Sequence, residues 1–358
     1  MSPRIQIDLD KLRFNLQALR ALESSRGATI FYSLDEVGVH PRILDLYLKE
    51  GVRNFSTTKV ENLAVLHEVA DILLYNRQPA MSKLETVVEL ADCSYHSEAE
   101  SINKASDIAL ARGRCHGVIL LVEAGDLGLG CSADQIEPLI DLCQRLRGVE
   151  LLGIGYCSNR FAGILPEQTL TDNLQMLAEW VQQSYGGDLP AILVEGPEFI
   201  SSAFGNCIRD FSGINQLVVG SEIYSGHDVA SNQSLVGLRS ELITLVSEII
   251  ENKRVNSCPT GGVAACQTPA RLITENCFTD RGMIRRITLD LNLCHCDFLN
   301  ISVYRDDLQF LGATTDYSVF ETGNSLHDYN VGSTISFKVE PQGIYQLFNY
   351  ADLPVELI

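Results

Sequence analysis

Among side chains only a lysine amine forms an imine, so the residues able to do that chemistry can be enumerated. They are Lys11, Lys49, Lys59, Lys83, Lys104, Lys253 and Lys338. Lys59 follows the strand-like run Arg53 to Thr58 and heads an amphipathic stretch, on the side where a barrel of alternating strands and helices carries its chemistry. A surface or supporting cation is the plainer reading of Lys59, and Lys83 is a lesser candidate. Asp35, Glu195 and Glu198 also fall at strand ends. There they would hold a cation or a cationic amine, or stand as solvated rim charges. Cys294-His295-Cys296 has metal-ligand residue types, but a strand would send the thiols to one side and the imidazole to the other, so no metal is assigned. Gly128-Leu129-Gly130-Cys131-Ser132-Ala133 has the letters of a dinucleotide loop but no ribose-binding acid downstream, and reads as an ordinary loop. His40, His67, His96, His116, His227 and His327 show no triad-like spacing.

The elements that must position these residues come from hydrophobic periodicity. Eight short apolar runs alternate with amphipathic stretches: Thr29 to Leu34, Arg53 to Thr58, Ile72 to Tyr75, Cys93 to His96, Gly117 to Val122, Leu151 to Tyr156, Ile192 to Val194 and Leu217 to Val219. Five capping-box patterns, Ser33-x-x-Glu36, Thr58-x-x-Glu61, Ser82-x-x-Glu85, Ser97-x-x-Glu100 and Ser132-x-x-Gln135, suggest helix starts after them. The fold class this implies is α/β, a (β/α)8 barrel of the TIM type, with a doubly wound sheet as the alternative. Period-two runs come next, Glu241 to Ile250, Ile284 to Leu291, Leu308 to Val319 and Ser333 to Val339, so an all-β domain is expected at the C-terminal end. Arg4 to Asp8 is strand-like and is expected to pair with that distant domain, while Asp8 caps a helix bearing Leu9, Leu12, Leu16 and Leu19. The expected division is 1–27 as a joining strand and helix, 28–233 as barrel and 234–358 as β domain.

Composition excludes several classes. The 358 residues are 46% apolar and 20% charged, which supplies a core and excludes a disordered chain. A net charge of −19, spread along the chain, argues against nucleic acid as a partner. The opening Met1-Ser2-Pro3-Arg4-Ile5 has no apolar signal core, and no apolar run reaches membrane-spanning length, so a cytoplasmic protein without membrane partners is expected. Eleven scattered cysteines without a C-x-x-C pair point to reduced thiols.

Thr58-Lys59-Val60-Glu61-Asn62-Leu63, Gly125-Asp126-Leu127, Gly153-Ile154-Gly155, Ile214-Asn215-Gln216-Leu217 with Gly220, Asp280-Arg281-Gly282 and Gly312-Ala313-Thr314-Thr315-Asp316 occur in one order. In these segments, and in its barrel-then-β-domain plan, the chain resembles the alanine racemase fold of pyridoxal 5'-phosphate (PLP) enzymes, in particular its ornithine/alanine racemase-like branch. The resemblance implies amino-acid racemisation on a PLP imine, with the lysine at the end of the first barrel strand, and a dimer that completes the sites. Ungapped through Asn62, Asp35 stands at that lysine position, and a small gap would put Ser33 or Leu34 there. The phosphate turn corresponds to Glu195-Gly196-Pro197-Glu198-Phe199-Ile200 and on to Ser201, where a proline removes a donor and two carboxylates oppose a phosphate. The arginine that meets the pyridine nitrogen corresponds to Val218, ahead of Gly220 and Ser221. Asp316-Tyr317 stands where that branch carries Asp-His. The expectation is therefore a degenerate racemase homologue without PLP. It would serve as a ligand-binding, regulatory or partner subunit for a small molecule such as an amino acid, dimeric with itself or with an active racemase paralogue. The alternative is a PLP-dependent alanine- or ornithine-type racemase using a relocated lysine such as Lys59.

Overall fold

The computed structural model describes residues 2–157, 161–164, 168–185, 191–196, 199–200, 215–228, 233–261, 271–274, 277–323 and 327–358. They form two compact units, Leu12–Ser240 on the one hand and Met1–Lys11 with Glu241–Ile358 on the other. The chain begins with β1 (Arg4–Ile7) and α1 (Leu9–Arg26). Asp8 Oδ1 accepts the backbone N–H groups of Asp10 and Lys11, both at 3.0 Å, and Leu12, Leu16 and Leu19 are fully buried, as the sequence predicts.

In the first unit the strands β2 (Thr29–Ser33), β3 (Asn54–Thr57), β4 (Ile72–Tyr75), β5 (Cys93–His96), β6 (His116–Leu121), β7 (Val149–Cys157), β8 (Ala191–Glu195) and β9 (Gln216–Val219) close into a parallel barrel. Closure is made by β9 pairing back onto β2, Ile30 opposite Leu217, which excludes the open doubly wound sheet. The helices are α2 (Pro41–Lys49), α3 (Val60–His67), α4 (Leu84–Leu90), α5 (Ala99–Ala111), α6 (Ala133–Arg145), α7 (Gln168–Tyr185) and the short α8 (Ser221–Ser225). A small ladder of β10 (His227–Asp228) and β11 (Gln233–Ser234) comes after them.

Strand alternation divides the core in two. Val118, Leu120 and Ile154 pack outward with Ile102, Ile136 and Val181 of the helices. Phe31, Leu74, Tyr95, Ile119, Leu193 and Val218 fill the barrel interior. On the outer side a buried polar chain runs from His116 Nε2 through Ser94 Oγ (2.7 Å) to His96 Nε2 (2.9 Å), and from His96 Nδ1 to Ser101 Oγ of α5 (2.7 Å). Burial lowers His96 to about 3 and His116 to about 4.

The capping reading needs correction. Only Ser132 and Gln135 form a capping box. Lys59, Lys83 and Glu98 occupy the N-cap positions in place of Thr58, Ser82 and Ser97, and none of them makes a side-chain cap. Ser33 opens no helix; α2 begins later, capped by His40. The hydroxyls of Thr58 and Ser97 go to other side chains instead, Asp35 Oδ2 at 2.7 Å and Gln78 Oε1 at 3.3 Å. Tertiary partners thus outcompete local capping.

The second unit is built on β12 (Ile243–Asn256), which pairs antiparallel with β1, Arg4 opposite Val246. Its sheet continues through β13 (Arg271–Ile273), β14 (Met283–Leu289), β15 (Ile301–Val303), β16 (Leu308–Thr314), β17 (Ser318–Thr322), β18 (Thr334–Val339), α9 (Pro341–Asn349) beside it in sequence, and β19 (Val355–Leu357). The run expected as one strand from Leu308 to Val319 is a hairpin turning at Thr315 to Tyr317, where Thr314 N–H donates to the Tyr317 carbonyl at 2.8 Å. Cys294-His295-Cys296 lies in a turn after β14 and not in a strand.

Candidate functional site

The inward alternation that fills the barrel with Phe31, Leu74 and Leu193 carries on past the apolar layer. Two residues further along each chain it places Ser33, Asn76 and Glu195 at the C-terminal mouth, and Cys157 and Gly220 stand at the same level on β7 and after β9. Asn76 Nδ2 donates to Glu195 Oε2 at 3.2 Å, and Cys157 Sγ donates to the same oxygen at 3.4 Å.

Asp35, two residues beyond β2, is 5% exposed. Its Oδ1 accepts Thr57 Oγ1–H at 2.5 Å and Asn62 Nδ2–H at 3.0 Å, and its Oδ2 accepts the Thr58 N–H at 2.6 Å and the Thr58 hydroxyl at 2.7 Å. These four donors make the end of β3 and the start of α3 a cradle for a carboxylate. Lys59, the N-cap of α3, reaches back so that its Nζ donates to the Asp35 backbone carbonyl at 2.7 Å.

Next to this cradle lies a second acidic group. Glu36 is half-buried, and lost solvation followed by the neighbouring Asp35 charge pushes its carboxyl up to about 8. A Cβ at position 220 would stand 2.5 Å from Glu36 Oε1, so glycine there admits the carboxyl against the end of β9. Glu222 is likewise raised by burial, while its Oε2 accepts the Gly220 N–H at 3.0 Å.

A cavity of about 460 Å³ opens beside these groups, lined by Asn76, Arg77, Tyr156, Cys157 and the loop after β6. Leu127, Leu129 and Phe161 on its lining are 72%, 57% and 78% exposed. Glu123 Oε1 accepts the N–H groups of Gly125 (2.7 Å) and Leu127 (2.9 Å), and Asp126 accepts those of Phe161 and Gly163, both at 2.8 Å. These carboxylates therefore fasten the rim.

Of the candidates read from sequence, the fold brings Asp35 and Lys59 together. Val218 is buried among Phe31, Tyr95 and Leu193, Gly220 lies under Glu36, Ser221 is the first residue of α8, and Gly196 directly follows β8. Glu198 and Ser201 lie outside the described residues. Asp316 and Tyr317 are in the second unit, in the β16–β17 turn, with both N–H groups donating to Thr314 Oγ1 at 3.1 and 3.2 Å, and Tyr317 is exposed there. Sequence reasoning misses Asn76, Arg77, Cys157, Glu36 and Glu222 as site residues. The signal for Asn76 and Cys157 is strand parity counted beyond the apolar run. Among the described residues no group of three His, Cys, Asp or Glu side chains is arranged to hold a metal, and no helix is long and apolar enough to cross a membrane.

The described residues do not fit PLP in the manner the resemblance implies. On the ungapped correspondence, a carboxylate with four donors stands at the position assigned to the imine-forming amine and the isopropyl group of Val218, in an apolar layer, at the position assigned to the cation for the pyridine nitrogen, while carboxyls gather around Gly220.

Comparison with known proteins gives three findings. The family model described as "Alanine racemase, N-terminal domain" matches residues 7–185. An ornithine racemase of Acetoanaerobium sticklandii is 24% identical over 100% of both chains, and a lysine racemase of Thermotoga maritima is 22% identical over 94% of this chain and 93% of its own. The solved alanine racemase of Streptomyces coelicolor A3(2) has the same fold, with a TM-score of 0.76 at 14% identity, covering 99% of this chain and 98% of that one.

Proposed function

Because the chain belongs to the alanine racemase N-terminal domain family, we propose that its barrel mouth takes a free amino acid. One observation carries this reading: a single cavity is lined by the Arg77 guanidinium and, through Asn76 and Cys157, adjoins the Glu195 carboxylate. A cation on the lining and a carboxylate hydrogen-bonded to two other lining residues would suit the carboxylate and ammonium of a zwitterion.

A bound amino acid has two fates open to it. The names of the two relatives support racemisation, and the contact of Lys59 Nζ with the Asp35 carbonyl supports Lys59 as the amine that would stand in for the missing one. PLP stays within reach of the chain on that reading. The saturated Asp35 carboxylate and the apolar setting of Val218 support the other, in which the chain binds its amino acid and acts as a regulatory or partner subunit. The family and the relatives' names weigh for the first fate, and the occupied Asp35 position is what supports the second.

The test is an absorbance scan of the purified chain after incubation with excess PLP and desalting, repeated on Lys59→Ala, together with a racemisation assay on ornithine, lysine and alanine. Binding without turnover predicts no retained imine band and no racemisation. A band lost in Lys59→Ala, with turnover in the wild type, overturns it and assigns the imine to Lys59.

A further inference from the structure

The charged groups on the cavity lining are Arg77, Glu123 and Asp126, and they differ in what already holds them. Asp126 is 3% exposed; its Oδ2 accepts the Phe161 N–H at 2.8 Å, and its Oδ1 accepts those of Gly163 at 2.8 Å and Ile164 at 3.2 Å. Its oxygens are taken up in joining two segments of the rim. Arg77 is exposed and makes no hydrogen bond or ion pair among the described residues. Glu123 is half-buried; its Oε1 accepts the Gly125 and Leu127 N–H groups at 2.7 and 2.9 Å, and no described residue donates to its Oε2. Two backbone dipoles therefore fix the direction of this carboxylate and leave its charge without a counter-ion.

Strand parity aims Glu123 at the mouth. Ile119 and Leu121 fill the barrel interior while Leu120 and Val122 pack outward, so the next inward position is 123. The strand direction persists that far because Val122 bridges Cys131 and the Glu123 N–H donates to the Cys131 carbonyl at 3.0 Å. On the same lining Leu127, Leu129 and Phe161 present exposed apolar surface. A fixed carboxylate among apolar side chains matches a side chain with a hydrocarbon stem and a cationic tip: the stem lies on the apolar surface and the charge reaches the acid. Arg77 and Glu123 share one lining without pairing with each other, which leaves both to a ligand that carries an anion and a cation.

Resting on the reading that the mouth takes an amino acid, we infer that Glu123 is the residue that selects its side chain, and that the ligand is an α,ω-diamino acid. The ligand's carboxylate faces Arg77, its α-ammonium is directed toward Glu195, and a second ammonium at the end of a short methylene stem reaches Glu123 Oε2. The charges balance on that arrangement. One guanidinium and two carboxylates leave one net negative charge, and two ammonium groups with one carboxylate bring one net positive charge.

Calorimetric titration of the full chain at neutral pH with ornithine, lysine, norvaline and Nδ-acetylornithine tests it, on the wild type and on Glu123→Gln. The amide oxygen of the variant keeps an acceptor for the Gly125 and Leu127 N–H groups, and thermal melts confirm its folding. The wild type is expected to bind ornithine at least about fivefold more tightly than norvaline or Nδ-acetylornithine, which lack the side-chain charge; that is the size of a partly exposed charge-assisted hydrogen bond. In Glu123→Gln ornithine is expected to fall to the affinity of norvaline, with norvaline itself within about twofold of its wild-type value. A second variant, Glu123→Asp, draws the charge back by one methylene and is expected to move the preference from ornithine towards the longer lysine. Ornithine no tighter than norvaline in the wild type overturns the inference and leaves an amino acid at the mouth. The same follows from an ornithine preference that persists in a folded Glu123→Gln, from norvaline weakened as much as ornithine, or from an unchanged ornithine-to-lysine ratio in Glu123→Asp. Binding of none of these amino acids to the wild type overturns the amino-acid reading, and the inference with it.

Discussion

Replacing Asp35 by alanine isolates what the carboxylate does at the end of the first barrel strand. Four donors converge on Asp35, but they do not lose equally. The Thr57 hydroxyl is fully buried, yet it has the Lys59 carbonyl at 3.3 Å as a second acceptor. The Thr58 hydroxyl and the Asn62 amide are on half-buried residues that can turn to water. The Thr58 N–H is fixed by the backbone and has no such recourse. One donor left without a partner and one weakened, both formerly bound to a charged group, amount to about 2–4 kcal/mol. For a unit the size of Leu12–Ser240, that corresponds to a fall in Tm of about 4–16 °C. Asp35→Asn keeps one acceptor oxygen and should lose about half as much. Scanning calorimetry on the wild type and both variants checks the order wild type, Asn, Ala. An Asp35→Ala protein melting with the wild type would refute the argument that this carboxylate organises the mouth.

Two groups should dominate the pH dependence of stability, and their signs oppose. Glu36 is held protonated up to about 8, so the fold loses stability as pH rises from the ordinary carboxylate range to that value. Glu36→Gln removes the penalty and should gain up to about 3 kcal/mol at pH 7 and little at pH 4.5, read from urea melts at the two values. His96 and His116 are held neutral down to about 3 and about 4. Their contribution is whole above pH 6.5 and shrinks below it, by about 2 kcal/mol each at pH 5. Urea melts of a His96→Asn, His116→Asn double variant should therefore show a flatter acid limb than the wild type; identical limbs would clear the pair. At Gly130, where φ is 146 and a Cβ would stand 2.4 Å from the Glu123 backbone nitrogen, alanine should displace the loop after β6. Scanning calorimetry should read a loss on the order of the 1–3 kcal/mol of an overpacked site, and a Gly130→Ala protein melting with the wild type would refute the clash.

The strands were legible because each is a short apolar run, and the parallel order needed only their alternation with helices. The capping boxes misled because Thr58 and Ser97 have the right letters at nearly the right places, while their hydroxyls find Asp35 and Gln78 across the mouth. No local pattern encodes that competition. Asp35 was legible as a position, through the absence of a lysine, but not as a carboxylate with four donors. That arrangement depends on β3 lying beside β2 in the register that sets Tyr32 opposite Phe55. The β16–β17 turn was hidden inside a run whose period-two pattern continues through Thr315 and Tyr317.

The same parity argument explains why the mouth is acidic without a metal being assigned to it. Inward positions at strand ends need neither apolar packing nor solvent, so their chemistry is open to substitution without loss of the barrel. In this chain those positions hold Asn76, Cys157, Glu195 and Gly220, with Glu36 folded over the glycine. Each acidic group has its own compensation: Asp35 four donors, Glu195 an amide and a thiol, Glu222 the Gly220 N–H, and Glu36 a proton. A phosphate dianion brought beside Gly220 would add negative charge next to Glu36, which burial and then the Asp35 charge already raise. A ligand that brings an ammonium toward Glu195 would add to the compensation instead. On this charge balance, the proposed amino acid would present its ammonium rather than an anionic group to Glu195.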